Sequence, residues 1–385
     1  MKIKNIFLTI LFAKISVLLL IFLAFSLLPF GEKYYYPNFV YPLHSPITIQ
    51  TAFKTWDAQH YLYISEKGYK IGNDSNAFPP LFPFTMYLFT YLTRNSFISG
   101  IFLSNMFSLI GFLLFYQLVK KHYTEKIAYT SLLILLAFPT SFYFCLIYTE
   151  SLFFLLVMLF FTFLQKRQIF LASLAAFFLP LTRLIGVAIS IPFLFSYILE
   201  YKSHSLYDEV VIIGKSLLNA KALLLLFPFL GVGAAMLCMY LFTGNFFTQF
   251  NAQQNFISHY SLGSLLNPLF FLKALFTFPL HLHGFTDSLL DRLFFLGFLL
   301  SLPLVFKKVT KVFFVYTVLF GLLPVLSGSF MSYMRYLLVV FPIFIALSLY
   351  FAEKKYVSLY YPFLFLSLLL QGLFIIMHSL NYWVA

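Results

Sequence analysis

The chain has 385 residues, of which 62% are hydrophobic and 10% charged, and its net charge is +13. A soluble domain carries roughly 25% charged residues, so this chain cannot cover a water-facing globule and lipid must be its solvent. The positive balance does not indicate a nucleic-acid partner, because 15 of the 25 basic residues sit in short clusters between apolar runs, where they report membrane topology.

Alternation at strand period is absent and a span needs about 20 apolar residues, so the expected fold is an all-α polytopic membrane protein. About eleven transmembrane helices are predicted, at 5 to 30, 97 to 119, 127 to 147, 150 to 165, 169 to 182, 184 to 200, 222 to 242, 289 to 306, 312 to 327, 335 to 352 and 356 to 378. The first run exceeds the roughly 7 to 15 residues of a secretory h-region and is expected to stay as a span.

Threaded this way, Lys2/Lys4, Lys120/Lys121/Lys126, Lys166/Arg167, Lys202/Lys215/Lys221, Lys307/Lys308/Lys311 and Lys354/Lys355 share one face. That face is cytoplasmic, with Met1 inside and Ala385 outside. The threading depends on 169 to 200, where Pro180, Arg183 and Gly186 interrupt an apolar stretch. Two short helices with Arg183 at the outer turn keep the later basic clusters inside, whereas one broken helix would place them outside.

The remainder is a single membrane-embedded domain, 1 to 385, with outer segments at 31 to 96, 243 to 288 and 328 to 334. Pro79, Pro80 and Pro83 lie too close together for a regular helix, so 77 to 93 is expected to lie along the outer interface. Cys145 and Cys238 fall in apolar runs and are expected to be unpaired core residues.

Ionisable groups bordering a membrane core are functional candidates, since unpaired they carry a large desolvation penalty. The outer acids are Asp57, Glu66, Asp74, Glu150, Asp287 and Asp291, and the outer arginines are Arg94, Arg183, Arg292 and Arg335. Asp57 follows Trp56 at the start of an amphipathic stretch, where it is either a helix cap or a general base. Glu150 opens a span and has the same two readings. Arg183 and Arg335 border helix ends, where a guanidinium binds phosphate bidentately or anchors at the interface. His60 and His259 lie in the outer segments, and His281-Leu-His283 lacks a third ligand at metal spacing, so no metal is expected. Asn73-Asp74-Ser75 matches a short acceptor sequon.

The stretch TWDAQHYLYISEKGY followed by AFPPLFPF resembles the start of the PIG-V family of GT-C membrane glycosyltransferases. Further similar boxes follow in order: FPTSFYFCLIYTESLFFLL, LTRLIG, GNFFTQFNAQQ and MRYLLVVFPIF. Two departures stand out. Ala77-Phe78-Pro79-Pro80-Leu81-Phe82-Pro83 replaces a Phe-Phe-Pro-Leu-Tyr-Pro box, and Asn255-Phe256-Ile257 follows Gln253-Gln254 where the family shows Trp-Gly-Arg.

The resemblance implies a GT-C-like fold and an enzyme that transfers a sugar, typically mannose, from a polyprenyl-phosphate-linked donor. The acceptor would be the hydroxyl of a glycolipid, glycan or protein at the extracytoplasmic or lumenal face. Asp57 would be the catalytic base of an inverting transfer, with Arg183 and Arg335 on the donor phosphate. Trp56, His60, Tyr61, Glu150, Gln253 and Gln254 would contact substrate. A phosphate leaves without needing a proton, so one carboxylate suffices where most glycosidases need two. No cofactor is expected, and there is no Gly-rich phosphate loop. The chain length favours a bacterial cytoplasmic membrane over an endoplasmic reticulum. The competing readings are a transporter or flippase of lipid-linked sugars and a non-catalytic subunit of a glycosylation complex. Against transport, no repeat of paired broken helices is visible between the halves.

Overall fold

The computed structural model describes residues 3 to 199, 220 to 256, 267 to 277, 281 to 284, 288 to 326 and 329 to 384. Lys202, Lys215, His259, Ile257 and Asp287 lie outside these residues. The described part is helical, with no strand and a single isolated bridge between His281 and Ser288.

The helices are α1 (Ile3–Leu27), α2 (Ile49–Phe53), α3 (Asp57–Lys67), α4 (Leu81–Thr93), α5 (Ser96–His122), α6 (Glu125–Ala137), α7 (Glu150–Gln165), α8 (Ile169–Thr182) and α9 (Ser190–Leu199). They continue with α10 (Phe227–Thr243), α11 (Thr248–Gln253), α12 (Pro268–Phe276), α13 (Leu289–Lys308), α14 (Lys311–Leu326), α15 (Tyr333–Tyr336), α16 (Pro342–Phe351) and α17 (Tyr360–Ser379). The chain is a multi-pass membrane protein. Among the described residues, five helical segments are long and apolar enough to cross a bilayer: α1, α5, Lys221–Thr243 around α10, α13, and Val357–Ser379 around α17.

The remaining expected spans are shorter or broken. The segment at 127 to 147 divides into α6 and a 3-10 turn at Ser141–Cys145, because Pro139 cannot continue the ladder of hydrogen bonds. The segment at 335 to 352 is bent by 83° between Val339 and Pro342. Helices α7, α8 and α14 and the segment Leu184–Leu199 are apolar but have only 10 to 17 residues.

Between α8 and α9 the chain doubles back. Arg183 is extended (φ −152°, ψ 128°), and a 3-10 turn at Leu184–Ile189 folds onto α8. A Cβ at Gly186 would lie 2.5 Å from the Leu179 carbonyl carbon, so only glycine allows this approach. Helix α9 then runs beside α7, with the rings of Phe193 and Phe160 5.3 Å apart. Two short helices with Arg183 at their turn are therefore what the structure contains.

Contrary to the sequence expectation, 81 to 93 is a regular helix despite its prolines. Pro80 caps α4 and Pro83 falls in its first turn, where backbone N–H groups have no intrahelical partner to lose. Phe84, Tyr87, Leu88, Tyr91 and Leu92 form an exposed apolar stripe on α4, as expected of a helix lying in the membrane interface.

The basic clusters at 120 to 126, 166 to 167, 307 to 311 and 354 to 355 meet at one end. Lys120 pairs with Glu125 at 2.9 Å, and His122 Nε2 lies 2.9 Å from Gln165 Nε2. Tyr123 Oη donates to the Lys308 carbonyl at 3.2 Å, and Lys308 pairs with Glu353 at 2.6 Å. A buried lysine inside α1 holds the broken span: Lys14 Nζ donates to Ser108 Oγ at 2.7 Å, Asn105 Oδ1 at 3.1 Å and the Phe144 carbonyl at 3.2 Å. These contacts satisfy a cation in the interior and a carbonyl freed by the 3-10 turn.

Candidate active site

At the end opposite the basic clusters, four charged side chains that are far apart in sequence form one chain of ion pairs. Arg335 Nη2 donates to Asp57 Oδ2 at 2.8 Å, and its Nε lies 2.8 Å from Glu150 Oε1. Arg183 Nη2 donates to that same Glu150 oxygen at 2.8 Å. The order is thus Asp57, Arg335, Glu150, Arg183, two negative and two positive charges.

Local backbone conformation sets these groups in place. Trp56 adopts φ 58°, ψ −129°, outside the regions natural for a side-chain-bearing residue. Such a residue is strained by roughly 1 to 3 kcal/mol and persists only where its surroundings hold it. The Tyr148 hydroxyl donates to the Thr55 carbonyl at 3.0 Å, and Thr55 Oγ1 lies 2.9 Å from His378 Nε2. The turn so held makes Asp57 the first residue of α3, and Trp56 is the cap, so Asp57 is not capping. Glu150 likewise opens α7, where the helix dipole favours a carboxylate. Arg335 sits on the single turn α15, entered through Ser332 at φ 61°. Buried Asp291 steadies that turn by accepting the Met334 N–H at 3.1 Å.

Aromatic faces line the guanidinium groups: Arg335 lies over Tyr148 (5.1 Å) and Tyr143 (5.3 Å), and Arg183 over Tyr336 (5.0 Å). Arg183 Nη1 is buried and has no hydrogen-bond partner among the described residues, and the same holds for Glu150 Oε2.

Beside the ion pairs is a cavity of about 980 Å³. Asp57, Tyr61, Arg183, Arg335, Gln253 and Gln254 line it. Among its described lining residues Asp57 is the only acid, and its side chain is 23% exposed against 0% for Glu150. One wall is apolar, with Leu184, Ile185, Val187, Phe229, Val232 and Leu323. Another carries amides: Gln249 and Gln253 donate to the Ala77 carbonyl at 3.3 and 2.9 Å, which ties α11 to the first outer segment.

No protein-family model and no curated protein matches the chain. Among solved structures, it is similar to two crystal structures of the oligosaccharyltransferase of Archaeoglobus fulgidus. The complex with Zn and sulfate has a TM-score of 0.43 over 96% of this chain and 53% of that one, at 12% identity. The apo form has a TM-score of 0.48 over 97% and 56%, also at 12% identity. The chain spans about half the length of those proteins.

Three of the residues expected at substrate do not line the cavity. Glu150 lies behind the arginines, fully buried. Trp56 packs edge-on against Trp383, with ring centroids 5.1 Å apart. His60 is sandwiched between Phe39 (4.2 Å) and Phe78 (4.6 Å), with Nδ1 2.9 Å from Ser75 Oγ. Burial drives the His60 pKa down to about 4, against the opposing charges of Asp57 and Asp74.

The unfolded chain therefore binds a proton at this histidine between about pH 6.5 and 4 that the folded chain does not, so acidification through that window lowers stability. His60→Phe is expected to flatten this part of the stability profile. The check is the thermal midpoint of purified protein at pH 5 and pH 7, where an unchanged difference between the two pH values would count against the role.

Two further outer acids hold the first outer segment. Glu66 accepts from the Tyr41 hydroxyl at 2.6 Å and from Ser96, and Asp74 accepts from Asn255 Nδ2 at 2.8 Å. Sequence reasoning missed Trp383, Tyr336, Gln249 and Asn251 as cavity residues. The Gln-rich run 249 to 254 signalled the amides, but nothing local marked the other two.

Proposed function

We propose that the protein is a membrane glycosyltransferase of the GT-C class that uses a polyprenyl-phosphate-linked sugar, typically mannose, as donor. The observation that carries this reading is that Asp57, the one carboxylate among the described lining residues of a cavity with an apolar wall, is joined through Arg335 and buried Glu150 to a second arginine. This arrangement fits a substrate with an anionic phosphate, a greasy tail and a sugar. It also agrees with the motif resemblance, which names the same aspartate.

In this mechanism Asp57 takes the proton of an acceptor hydroxyl. The acceptor oxygen bonds to the anomeric carbon as the bond from that carbon to the phosphate oxygen breaks, and polyprenyl phosphate leaves with the electron pair. A single displacement inverts the anomeric centre, and buried Glu150 is not placed to serve as the second carboxylate of a retaining enzyme. Arg183 and Arg335 offset the charge that grows on the departing phosphate.

The direct test incubates purified protein with labelled polyprenyl-phosphate sugars and a membrane lipid extract, then identifies the labelled product. Failure of every donor to label any product would reject the reading. Arg183→Gln is expected to raise donor KM by about 10- to 100-fold, the loss of a hydrogen bond to a charged group worth roughly 1.5 to 3 kcal/mol. Initial rates against donor concentration check this, and an unchanged KM would remove Arg183 from the phosphate site.

A further inference from the structure

The segment from His378 to Val384 has no part in the mechanism above, yet it is built into the site. His378 is buried, with Nε2 2.9 Å from Thr55 Oγ1 and Nδ1 3.5 Å from the Tyr143 hydroxyl. It therefore bridges the strained turn before Asp57 and the ring on which Arg335 rests. Two residues further on, Leu380 accepts the Gly31 N–H at 2.9 Å. Asn381 then takes φ 65°, and the reversal carries Trp383 to the cavity wall.

Trp383 meets Trp56 edge-on at 5.1 Å, immediately before the proposed base. Whatever hydroxyl Asp57 deprotonates belongs to a molecule that reaches this corner of the cavity. The wall of the same cavity also carries Gln249, Asn251, Gln253 and Gln254, which are neutral groups able to donate and accept hydrogen bonds. An indole and amides on one cavity wall suit a pyranose, whose apolar, slightly positive C–H face matches an aromatic π-face and whose hydroxyls match the amides. Beyond Asp57, the described lining has no acid to hold a cationic acceptor, and the arginines belong to the donor phosphate.

We propose that Trp383 is the stacking platform for a neutral pyranose on the acceptor and that His378 is a positioning residue for the Trp56-Asp57 turn. The proposal rests on the transferase reading for the word acceptor. Its binding test does not.

Trp56 and Trp383 are the only tryptophans in the sequence, so emission excited selectively at tryptophan, beyond the tyrosine absorption band, reports on this site alone. In lipid vesicles free of sugar detergents, Trp56→Phe protein titrated with a neutral methyl hexopyranoside is expected to show a saturable emission change. Inorganic phosphate at the same concentrations leaves that emission unchanged, and Trp383→Phe protein, reporting through Trp56, shows a smaller response.

In the transfer assay, Trp383→Ala raises the half-saturating amount of lipid extract roughly tenfold with donor KM within about twofold, and Trp383→Phe recovers most of the loss. His378→Ala lowers kcat without shifting either half-saturation, and His378→Gln recovers part of it. A flat pyranoside titration overturns the platform, and so does an equal effect of Trp383→Ala on both substrates. Absence of transfer by wild-type protein rejects the enzyme reading, while the fluorescence titration still decides the sugar site.

Discussion

Asp57→Asn is expected to lower turnover by about 10²- to 10⁴-fold, the usual contribution of a positioned general base, while donor KM changes little. The substitution keeps the size of the side chain and one oxygen that can accept from Arg335, so the ion-paired arginine remains near its place. Only the capacity to take a proton is lost. Arg335 also retains Glu150 at 2.8 Å, so its charge stays compensated and the fold is expected to survive. Single-turnover transfer from a labelled polyprenyl-phosphate sugar, with the thermal midpoint measured in parallel, checks both statements. A variant that folds and transfers at the wild-type rate would end the assignment of Asp57 as base. Asp57→Glu, which moves the carboxylate by one methylene, should fall between the two because a base acts only within hydrogen-bond reach of its proton.

The arginine bonded to Asp57 occupies an oxygen that a base would turn toward its proton. The connected pairs resolve the tension. Without substrate, two carboxylates and two guanidinium groups balance, and Arg335 serves both Asp57 and Glu150. An arriving phosphate adds negative charge next to Arg183, whose Nη1 has no hydrogen-bond partner among the described residues. A phosphate that also draws on Arg335 weakens its hold on Asp57 as the donor binds. In this mechanism the carboxylate is released from its ion pair when the sugar to be transferred is in place.

Much of the architecture was legible because composition and charge clusters act over whole segments. The clusters at 120 to 126, 166 to 167, 307 to 311 and 354 to 355 do meet, through contacts such as Lys308 with Glu353. Helix ends were less legible. Pro139 and Pro342 break apolar runs that hydropathy alone joins, whereas Pro83, at a helix start, breaks nothing. The partners of single polar residues were not legible at all. Lys14 is a lone charge inside a long apolar helix, and its acceptors lie 91 to 130 residues away. His60 stood near Asp57 in sequence and so was expected at substrate, but Phe39 and Phe78 enclose it from both sides. Asp57 and Arg335 are 278 positions apart, and no local spacing records that they meet. Trp383 was silent for the same reason.

Glu150 carries the other large expected effect, on stability as well as on rate. Its side chain is fully buried, and one of its oxygens lies 2.8 Å from both Arg183 and Arg335. Glu150→Gln removes the charge, while its amide oxygen can still accept from the arginines and its N–H₂ takes the place of Oε2, which has no hydrogen-bond partner among the described residues. Two largely buried guanidinium groups are then left with Asp57 as their remaining anionic partner in the group, and breaking a buried pair from one side costs about 3 to 5 kcal/mol. Both arginines are expected to shift, so donor binding weakens together with stability. Removing one cation as well should relieve the imbalance. Glu150→Gln/Arg183→Met is expected to be less destabilised than the sum of its single variants by roughly 1 to 3 kcal/mol, the range for residues sharing one ion-pair network. Unfolding midpoints of the four proteins in one detergent measure this coupling. Strict additivity would mean that Glu150 and Arg183 stabilise the protein independently, and the ion-pair chain could not then be the device that holds Arg335 against Asp57.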